Sequence, residues 1–276
     1  MKKKFLSLLL ALAMCLSLSV PAWAEVLEPS FDAKYNTLLS NGFPESFLNA
    51  LDEYCIDYLY NKSQEYYLVY GEASATPMNG ADSVAPYATG NSGIAPTSVT
   101  DGDFTMTSSR VIAYAENRVD VDHYTIFVNY EWTDAAAFCL KDGFVSNWPQ
   151  AHLTYISGSF SYRPYYKTES ATSWTLDTAS RITQSDPEVL LQGGLGVLFN
   201  LKASSAQTYL HKGTFFYDLN KVIPTSGGIN VTVNSSYAHK CAIVDTQITL
   251  GPDGYSVTFI PGNYYELQSS AVSFQL

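Results

Sequence analysis

From Phe104 onward, apolar and polar side chains alternate along the chain, and this period of two residues is the repeat of a β-strand with one buried face. The clearest run lies between Tyr124 and Trp132, where every second residue is a large apolar or aromatic one. Comparable runs occupy residues 195–201, 229–233, 244–250 and 255–259. A chain built from such runs has to pair its strands and cover their apolar faces, which excludes a helical bundle.

The connections between these runs indicate antiparallel pairing. Residues 251–254, which read Gly-Pro-Asp-Gly, form a hairpin-type turn between the last two runs, and residues 117–122 form an equivalent reversal. Neighbouring strands are not separated by the helical repeats that βαβ units require. About seven to ten short strands in residues 103–276 therefore predict a mainly β domain with the architecture of an antiparallel β-sandwich.

Residues 25–72 follow a different pattern, which is typical of two helices and a first strand. Ser30 is a candidate N-cap, Gly42 is placed to end the first helix, and Pro44 is placed to open the second. Across residues 47–59, apolar side chains recur at steps of three and four. We therefore predict an N-terminal helical hairpin whose apolar face packs on another part of the fold.

The first 24 residues have the three parts of a Sec signal peptide. Three lysines follow Met1, an uncharged apolar run extends from Phe5 to Val20, and small residues precede the predicted cleavage after Ala24. An uncleaved anchor is the alternative, but a spanning helix needs about 20 apolar residues and this run ends sooner, at Pro21. We therefore expect a secreted, extracellular protein without an integral membrane segment after cleavage.

The charge of the chain argues against two classes of partner. The sequence has 15 Lys+Arg and 26 Asp+Glu, for a formal net charge of −11. Loss of the leader removes three lysines and no acid, which leaves 12 basic and 26 acidic residues and a mature charge of −14. Recognition of nucleic acid and adsorption to anionic lipid both need a basic surface, so we expect neither.

Residues 73–102 differ in composition from the rest of the chain. Of these 30 residues, 21 are Ala, Ser, Thr, Pro or Gly, and none is Lys or Arg. Such a stretch buries too little apolar surface to offset the entropy of ordering it. A flexible linker and a long loop inserted in the fold both fit this composition.

Three cysteines remain after the leader, namely Cys55, Cys139 and Cys241, and they have neither C-x-x-C nor metal-ligand spacing. An oxidising compartment permits one bridge with one thiol left over. We favour a buried thiol at each position, because a fold of about 250 residues buries an adequate core without disulfides.

No catalytic motif stands out in the sequence. The nearest match to a serine-hydrolase elbow, residues 90–94, lacks the final glycine, and the four histidines are too far apart to predict a zinc site. Two acidic pairs, Asp101 with Asp103 and Asp120 with Asp122, offer oxygen ligands suited to calcium, although turn chemistry accounts for them as well. We therefore predict no catalytic residue, no metal ligand and no cofactor, with calcium as the alternative.

A secreted hydrolase acting on polysaccharide is the alternative function. Glycoside hydrolysis needs two carboxyl groups that face each other across the scissile bond. Glu116, Glu131 and Glu169 are the candidate acids. A membrane-active toxin with a pore hairpin at residues 157–161 is a third hypothesis, which the acidic charge opposes.

The aromatic residues give the main indication of a binding function. The chain has 21 tyrosines, and aromatic residues on a strand face, such as Trp132, are expected in the core. A second set lies among polar neighbours, where burial is harder to arrange. Its members are Trp148, Tyr162, Tyr165, Tyr166 and Trp174. Flat rings beside polar groups bind sugar faces and peptides, whereas the alternative is that tyrosine acts here as a good strand former.

Three segments together resemble small secreted proteins of Gram-positive, often gut-dwelling, bacteria. They are residues 42–45 leading into a helix, residues 130–132 followed by Asp142 and Trp148, and residues 236–239 ahead of a final hairpin. The resemblance covers most of the mature chain and implies a location outside the cell, but it implies no activity and no site residue.

These observations favour a secreted, non-enzymatic β-sandwich that acts as a binding or structural module at the cell surface or in the medium. A glycan, a cell-wall polymer or a host protein is the expected partner. Binding through the five aromatic residues and hydrolysis through the acids make different demands on the fold, because only hydrolysis needs two facing carboxyl groups.

Overall fold

The computed structural model describes residues 28–72, 104–115, 121–135, 141–204, 207–222, 229–240, 248–251, 257–259 and 265–276. The helices are α1 (Phe31–Ser40), α2 (Glu45–Ala50) and α3 (Glu53–Glu65). The strands are β1 (Tyr67–Glu72), β2 (Phe104–Tyr114), β3 (Val121–Trp132), β4 (Lys141–Asn147), β5 (Leu153–Tyr155), β6 (Phe160–Thr168), β7 (Thr175–Leu176), β8 (Ile182–Ser185), β9 (Val189–Leu191), β10 (Gly194–Asn200), β11 (Tyr209–Lys221), β12 (Asn230–Lys240), β13 (Ile248–Leu250), β14 (Val257–Phe259) and β15 (Tyr265–Gln275). The expected leader 1–24, the stretch 73–102, and Asp101, Asp103, Asp120, Glu116, Cys139 and Cys241 lie outside the described residues.

Local capping explains where the helices begin and end. Ser30 caps α1 by accepting a backbone hydrogen bond at 3.3 Å, and Gly42 follows α1 with a φ of +91°, a conformation that glycine favours. The predicted second helix is interrupted, because Leu51 and Asp52 have extended backbones and Asp52 caps α3 through a 2.8 Å hydrogen bond from the Cys55 amide. Three helices therefore replace the predicted hairpin of two. Within the described residues, none of them is long and apolar enough to cross a membrane.

The described strands form two main sheets, and every strand pairing in them is antiparallel. The larger sheet has the order β1-β2-β3-β11-β6-β7, with β5 paired to β11 and β8 paired to β6. The smaller sheet has the order β15-β12-β4-β10-β9, and β13 pairs with β14 in a separate two-stranded sheet. The predicted mainly β, antiparallel fold is confirmed.

Aromatic side chains from both sheets fill the space between them. Phe144 of β4 stacks on Phe215 of β11, with ring centroids 4.0 Å apart and planes 6° apart. Tyr162 of β6 stacks on Phe215 at 4.3 Å, and all three rings are fully buried. Burial of one such ring contributes about 2 to 3 kcal/mol, so this aromatic layer is a main source of cohesion for the sandwich.

The helices cover part of the outer face of the larger sheet. Phe216 points to this face, because successive side chains of a strand alternate, and its ring packs against Tyr58 of α3 at 4.8 Å. Phe127 of β3 stacks on Phe216 at 5.3 Å and meets Phe47 of α2 edge-on at 5.5 Å. Both faces of the sheet are covered here, so the consecutive residues 213–219 are all buried.

A polar cluster fixes α3 to the sheet. The ammonium group of Lys62 donates to the carboxylate of Asp218 at 2.7 Å and also contacts His123. Tyr58 and Thr125 donate to the same carboxylate at 2.8 and 2.7 Å. Burial lowers the pKa of Lys62, and the neighbouring carboxylate opposes that effect.

Candidate binding cleft

A cleft of about 370 Å³ opens between the α2–α3 link and the outer face of the larger sheet. Residues 49–52 form its helical wall, the outward side chains of β2, β3 and β11 form its floor, and Tyr165 and Trp174 complete it. The outward residues of the floor are threonine, asparagine, glutamate and lysine. They are polar, whereas the neighbouring part of the same sheet face carries the Phe127 and Phe216 rings that pack against the helices. The cleft therefore combines two aromatic rings, Tyr165 and Trp174, with many hydrogen-bonding groups.

The strand register determines how the floor is arranged. Thr214 of β11 pairs with Asn129 of β3, and Lys212 pairs with Glu131. Thr105 of β2 lies on the other side of Glu131. Thr214 Oγ1 donates to Asn129 Oδ1 at 2.6 Å, which orients the Asn129 amide group.

Trp174, in the connection from β6 to β7, lies against two lysines. The ammonium nitrogen of Lys167 is 4.6 Å from the centroid of its indole ring, and that of Lys212 is 5.0 Å away. Both distances are within the range of cation–π attraction. Burial and the positive charge of Lys167 lower the pKa of Lys212, whereas Glu131 opposes this shift.

Asp52 stabilises the helical wall of the cleft. Its carboxylate accepts hydrogen bonds from Arg163 Nε at 2.7 Å, from the Tyr165 hydroxyl at 2.5 Å and from the Cys55 amide at 2.8 Å. Burial by itself would raise the pKa of Asp52, but these donors outweigh it, and the pKa is lower than usual. Burial and the adjacent carboxylate raise the pKa of Tyr165, so its hydroxyl stays a neutral donor.

No protein-family model matches this sequence, and no curated protein matches it. Several solved structures resemble part of the fold. One is the collagen-binding domain of the Erysipelothrix rhusiopathiae surface protein RspB, which is 12% identical with a TM-score of 0.31. The match covers 61% of this chain and 48% of that one, so this chain spans about half the length of the RspB structure.

Two further likenesses are to proteins of different kinds. The carbohydrate-binding module TmCBM27, described for mannan recognition, is 12% identical over 55% of this chain and 97% of its own, with a TM-score of 0.21. AvmM, which catalyses macrocyclization in alchivemycin A biosynthesis, is 13% identical over 63% of this chain and 88% of its own, with a TM-score of 0.24. With TM-scores this low, these likenesses carry no argument about function.

The structure separates the five aromatic residues that the sequence grouped together. Tyr165 and Trp174 line the cleft. Tyr166 lies outside it, edge-on to Tyr209 at 5.3 Å with Lys202 over its ring at 5.5 Å. Trp148 and Tyr162 are buried in the core, with 5% and 0% of their surfaces exposed. Only two of the five rings therefore share the cleft.

Strand alternation explains this separation. Tyr162 and Tyr165 are three residues apart on β6, so their side chains leave opposite faces of the sheet. Tyr162 enters the core, where its hydroxyl bonds that of Tyr130 at 2.6 Å. The indole of Trp148 donates to the Gln192 carbonyl at 3.0 Å. Polar neighbours along the sequence therefore do not show that an aromatic ring is exposed.

Sequence reasoning missed the polar half of the cleft. Asn129 and Lys212 lie at outward positions of strands, where polar residues are ordinary and give no signal by themselves. The apolar pattern of residues 47–59 keeps its helical spacing past Asp52, so the helix break that forms the cleft wall gave no signal in the sequence. The pairing of β3 with β11, which brings these residues together, joins segments about 80 residues apart.

Of the acids predicted for hydrolysis, Glu131 and Glu169 are among the described residues, and of these two Glu131 lines the cleft. Glu169 is exposed beyond the end of β6. The other carboxylate lining the cleft belongs to Asp52, which three donors already engage. Within the described part of the chain, no three His, Cys, Asp or Glu residues are grouped to hold a metal ion.

Three of the four histidines make contacts outside the cleft. His123 contacts Lys62 and bonds Asp122 at 2.8 Å. His239 is bonded to Asp142 at 3.0 Å inside the sandwich, where both are buried. Burial and the nearby His239 lower the pKa of His211 to about 4, so His211 is neutral at physiological pH. These groups belong to the fold and not to the cleft.

Proposed function

We propose that this protein is an extracellular, non-enzymatic binding module that holds a saccharide in the cleft beside Trp174. The observation that carries the proposal is one cleft that combines a partly exposed indole with a floor of hydroxyl, amide and charged groups. Concave sites with an aromatic surface and a few oriented polar groups are the usual form of a small-ligand site.

A saccharide suits this lining better than an apolar ligand. The C–H face of a sugar ring offers apolar surface to an indole, and its hydroxyl groups both donate and accept hydrogen bonds. Asn129, Thr105 and Thr214 provide neutral partners, and Glu131 provides a strong acceptor. A glycan or a glycosylated cell-wall polymer is therefore the partner class we favour.

The proposed domain organisation places the cleft in an exported protein. We propose that residues 1–24 direct secretion, residues 25–72 form the helical layer and the first strand, residues 73–102 connect them to the rest, and residues 103–276 form the sandwich. The mature charge of −14 supports a partner other than nucleic acid or anionic lipid. We do not propose hydrolysis, because two carboxylates line the cleft and one of them, Asp52, is already engaged by three hydrogen-bond donors.

Binding of the purified protein to an array of glycans and cell-wall polysaccharides tests the proposal. We expect at least one saccharide to bind, and Trp174→Ala to weaken that binding about tenfold or more, the equivalent of about 1.4 kcal/mol. Phe31→Ala is the matched control, since Phe31 is an exposed ring on α1 outside the cleft lining. Absence of saccharide binding, or equal losses in the two variants, would overturn the proposal.

A further inference from the structure

We infer that the cleft selects saccharides that carry carboxylate groups, as uronic acids do, over neutral saccharides of the same shape. This inference rests on the proposed saccharide-binding function and specifies its ligand class. Its basis is the meeting of two lysine ammonium groups at one indole ring beside the cleft.

Neither lysine forms an ion pair with a described acid. In this part of the chain, no carboxylate oxygen lies within 4 Å of the ammonium nitrogen of Lys167 or Lys212. The sequence has 26 acidic and 15 basic residues, so an acidic partner is readily available to most surface cations. Two cations held on one ring without such a partner leave a local excess of positive charge.

The neighbouring charges leave that excess in place. Asp52 is the carboxylate of the helical wall, and Arg163 already pairs with it at 2.7 Å. Glu131 is opposite Lys212 in the strand register and offsets part of one charge. Burial and, to a lesser extent, the positive charge of Lys167 lower the pKa of Lys212, whereas Glu131 and Asp52 raise it. A bound carboxylate would offset the repulsion between the two lysines.

The strand register brings the two lysines together on one face of the sheet. Lys167 pairs with Leu210 and Lys212 pairs with Tyr165, so the two lysines are diagonal neighbours on adjacent strands. Residues two apart on a strand share a face, and both lysines therefore approach Trp174 from the sheet. Trp174 is partly exposed, so a ligand can approach its ring beside the two ammonium groups.

Paired oligosaccharides test this inference. The probes are oligogalacturonate, alginate and hyaluronan oligosaccharides, each compared with the same oligosaccharide after reduction of its carboxyl groups to hydroxymethyl groups. We expect at least one acidic form to bind about tenfold more tightly than its reduced form, and this preference to shrink at high salt because exposed charge pairs are screened.

Lysine variants assign the preference to the cleft. We expect Lys167→Gln and Lys212→Gln each to weaken binding of the acidic form about five- to tenfold more than binding of the reduced form. Lys221→Gln is the matched control, because Lys221 is on the same strand as Lys212 but outside the cleft lining. Urea unfolding of each variant checks that folding is retained.

The outcomes separate the two proposals. Saccharide binding that depends on Trp174 but is equal for acidic and reduced probes, or stronger for neutral glycans, overturns the inference and leaves the binding function in place. An acidic preference that Lys221→Gln reduces as much as Lys212→Gln also overturns it. If no saccharide binds at all, the proposed function fails and the inference fails with it.

Discussion

The carboxylate of Asp52 accepts a 2.7 Å hydrogen bond from Arg163 Nε, and this contact joins the helical layer to the larger sheet. The two side chains are only 11% and 9% exposed. Asp52 also caps the N-terminus of α3. The same carboxylate therefore starts this helix, holds the cleft wall in place and neutralises the buried guanidinium of Arg163. Loss of its carboxylate therefore affects three interactions together.

We predict that Asp52→Ala lowers the free energy of unfolding by about 3 to 5 kcal/mol, because it removes an N-cap and leaves Arg163 buried without its partner. Asp52→Asn should cost less, since the amide oxygen still accepts from the Cys55 amide. Urea denaturation measures both. Glu53→Ala, at the next position and in no described ion pair, is the control and should change stability by less than about 1 kcal/mol. Equal effects at the two positions would contradict the prediction.

A second prediction concerns Lys62 and Asp218. Asp218→Ala should destabilise the fold by about 3 to 5 kcal/mol, because Lys62 then keeps a buried charge without its carboxylate. The comparison is Glu65→Ala, which removes an exposed carboxylate from the same helix as Lys62 and breaks no described ion pair. That variant should cost about 1 kcal/mol or less. Similar losses in the two variants, measured by urea unfolding, would show that burial does not determine the cost.

Sequence patterns predicted the strands well because strand periodicity is local. The alternation from Tyr124 to Trp132 is visible within these nine residues alone, and the structure has a strand, β3, at this place. The pattern could not show that Phe216 is buried beneath a helix, because that requires knowing which sheet face the helices cover. Residues 213–219 are buried on both faces, although an alternating strand is expected to have one exposed face.

The candidate site was less predictable than the fold, since it depends on which segments meet. Trp174 and Tyr165 were identified by residue type, whereas Trp148 was grouped with them although its ring is in the core. Lys212 gave no signal, because its role follows from the pairing of β11 with β6 and from the turn that brings Trp174 back over the sheet. Long-range pairing of this kind is not encoded in local periodicity.

A third prediction tests close packing in the smaller sheet. A Cβ atom added at Gly194 would overlap Asn147 Oδ1 and lie 3.0 Å from the Ser146 carbonyl oxygen. Asn147 cannot move freely, because Oδ1 accepts from the Val257 amide at 2.7 Å and Nδ2 donates to the Val257 carbonyl at 3.0 Å. We therefore expect Gly194→Ala to cost about 1 to 3 kcal/mol in urea unfolding.

The double variant identifies the cause of that loss. Asn147→Ala removes the side chain that blocks the new methyl group, so the combined cost of Gly194→Ala and Asn147→Ala should be smaller than the sum of the single costs. Strict additivity would mean that contact with Asn147 is not the source of strain.

The last prediction is a loss of stability between pH 6.5 and pH 4.5 that depends on His211. Burial lowers the pKa of His211 from 6.5 to about 4; the nearby His239 adds to this shift, and Asp177 opposes it. Above pH 6.5 the residue is neutral in both states, whereas below it the unfolded chain takes up a proton that the folded chain does not. The free energy of unfolding should therefore fall by about 2 to 3 kcal/mol at pH 4.5. Urea denaturation at the two pH values should show a smaller fall in His211→Gln and an unchanged fall in His152→Gln, and the same fall in all three proteins would refute the assignment.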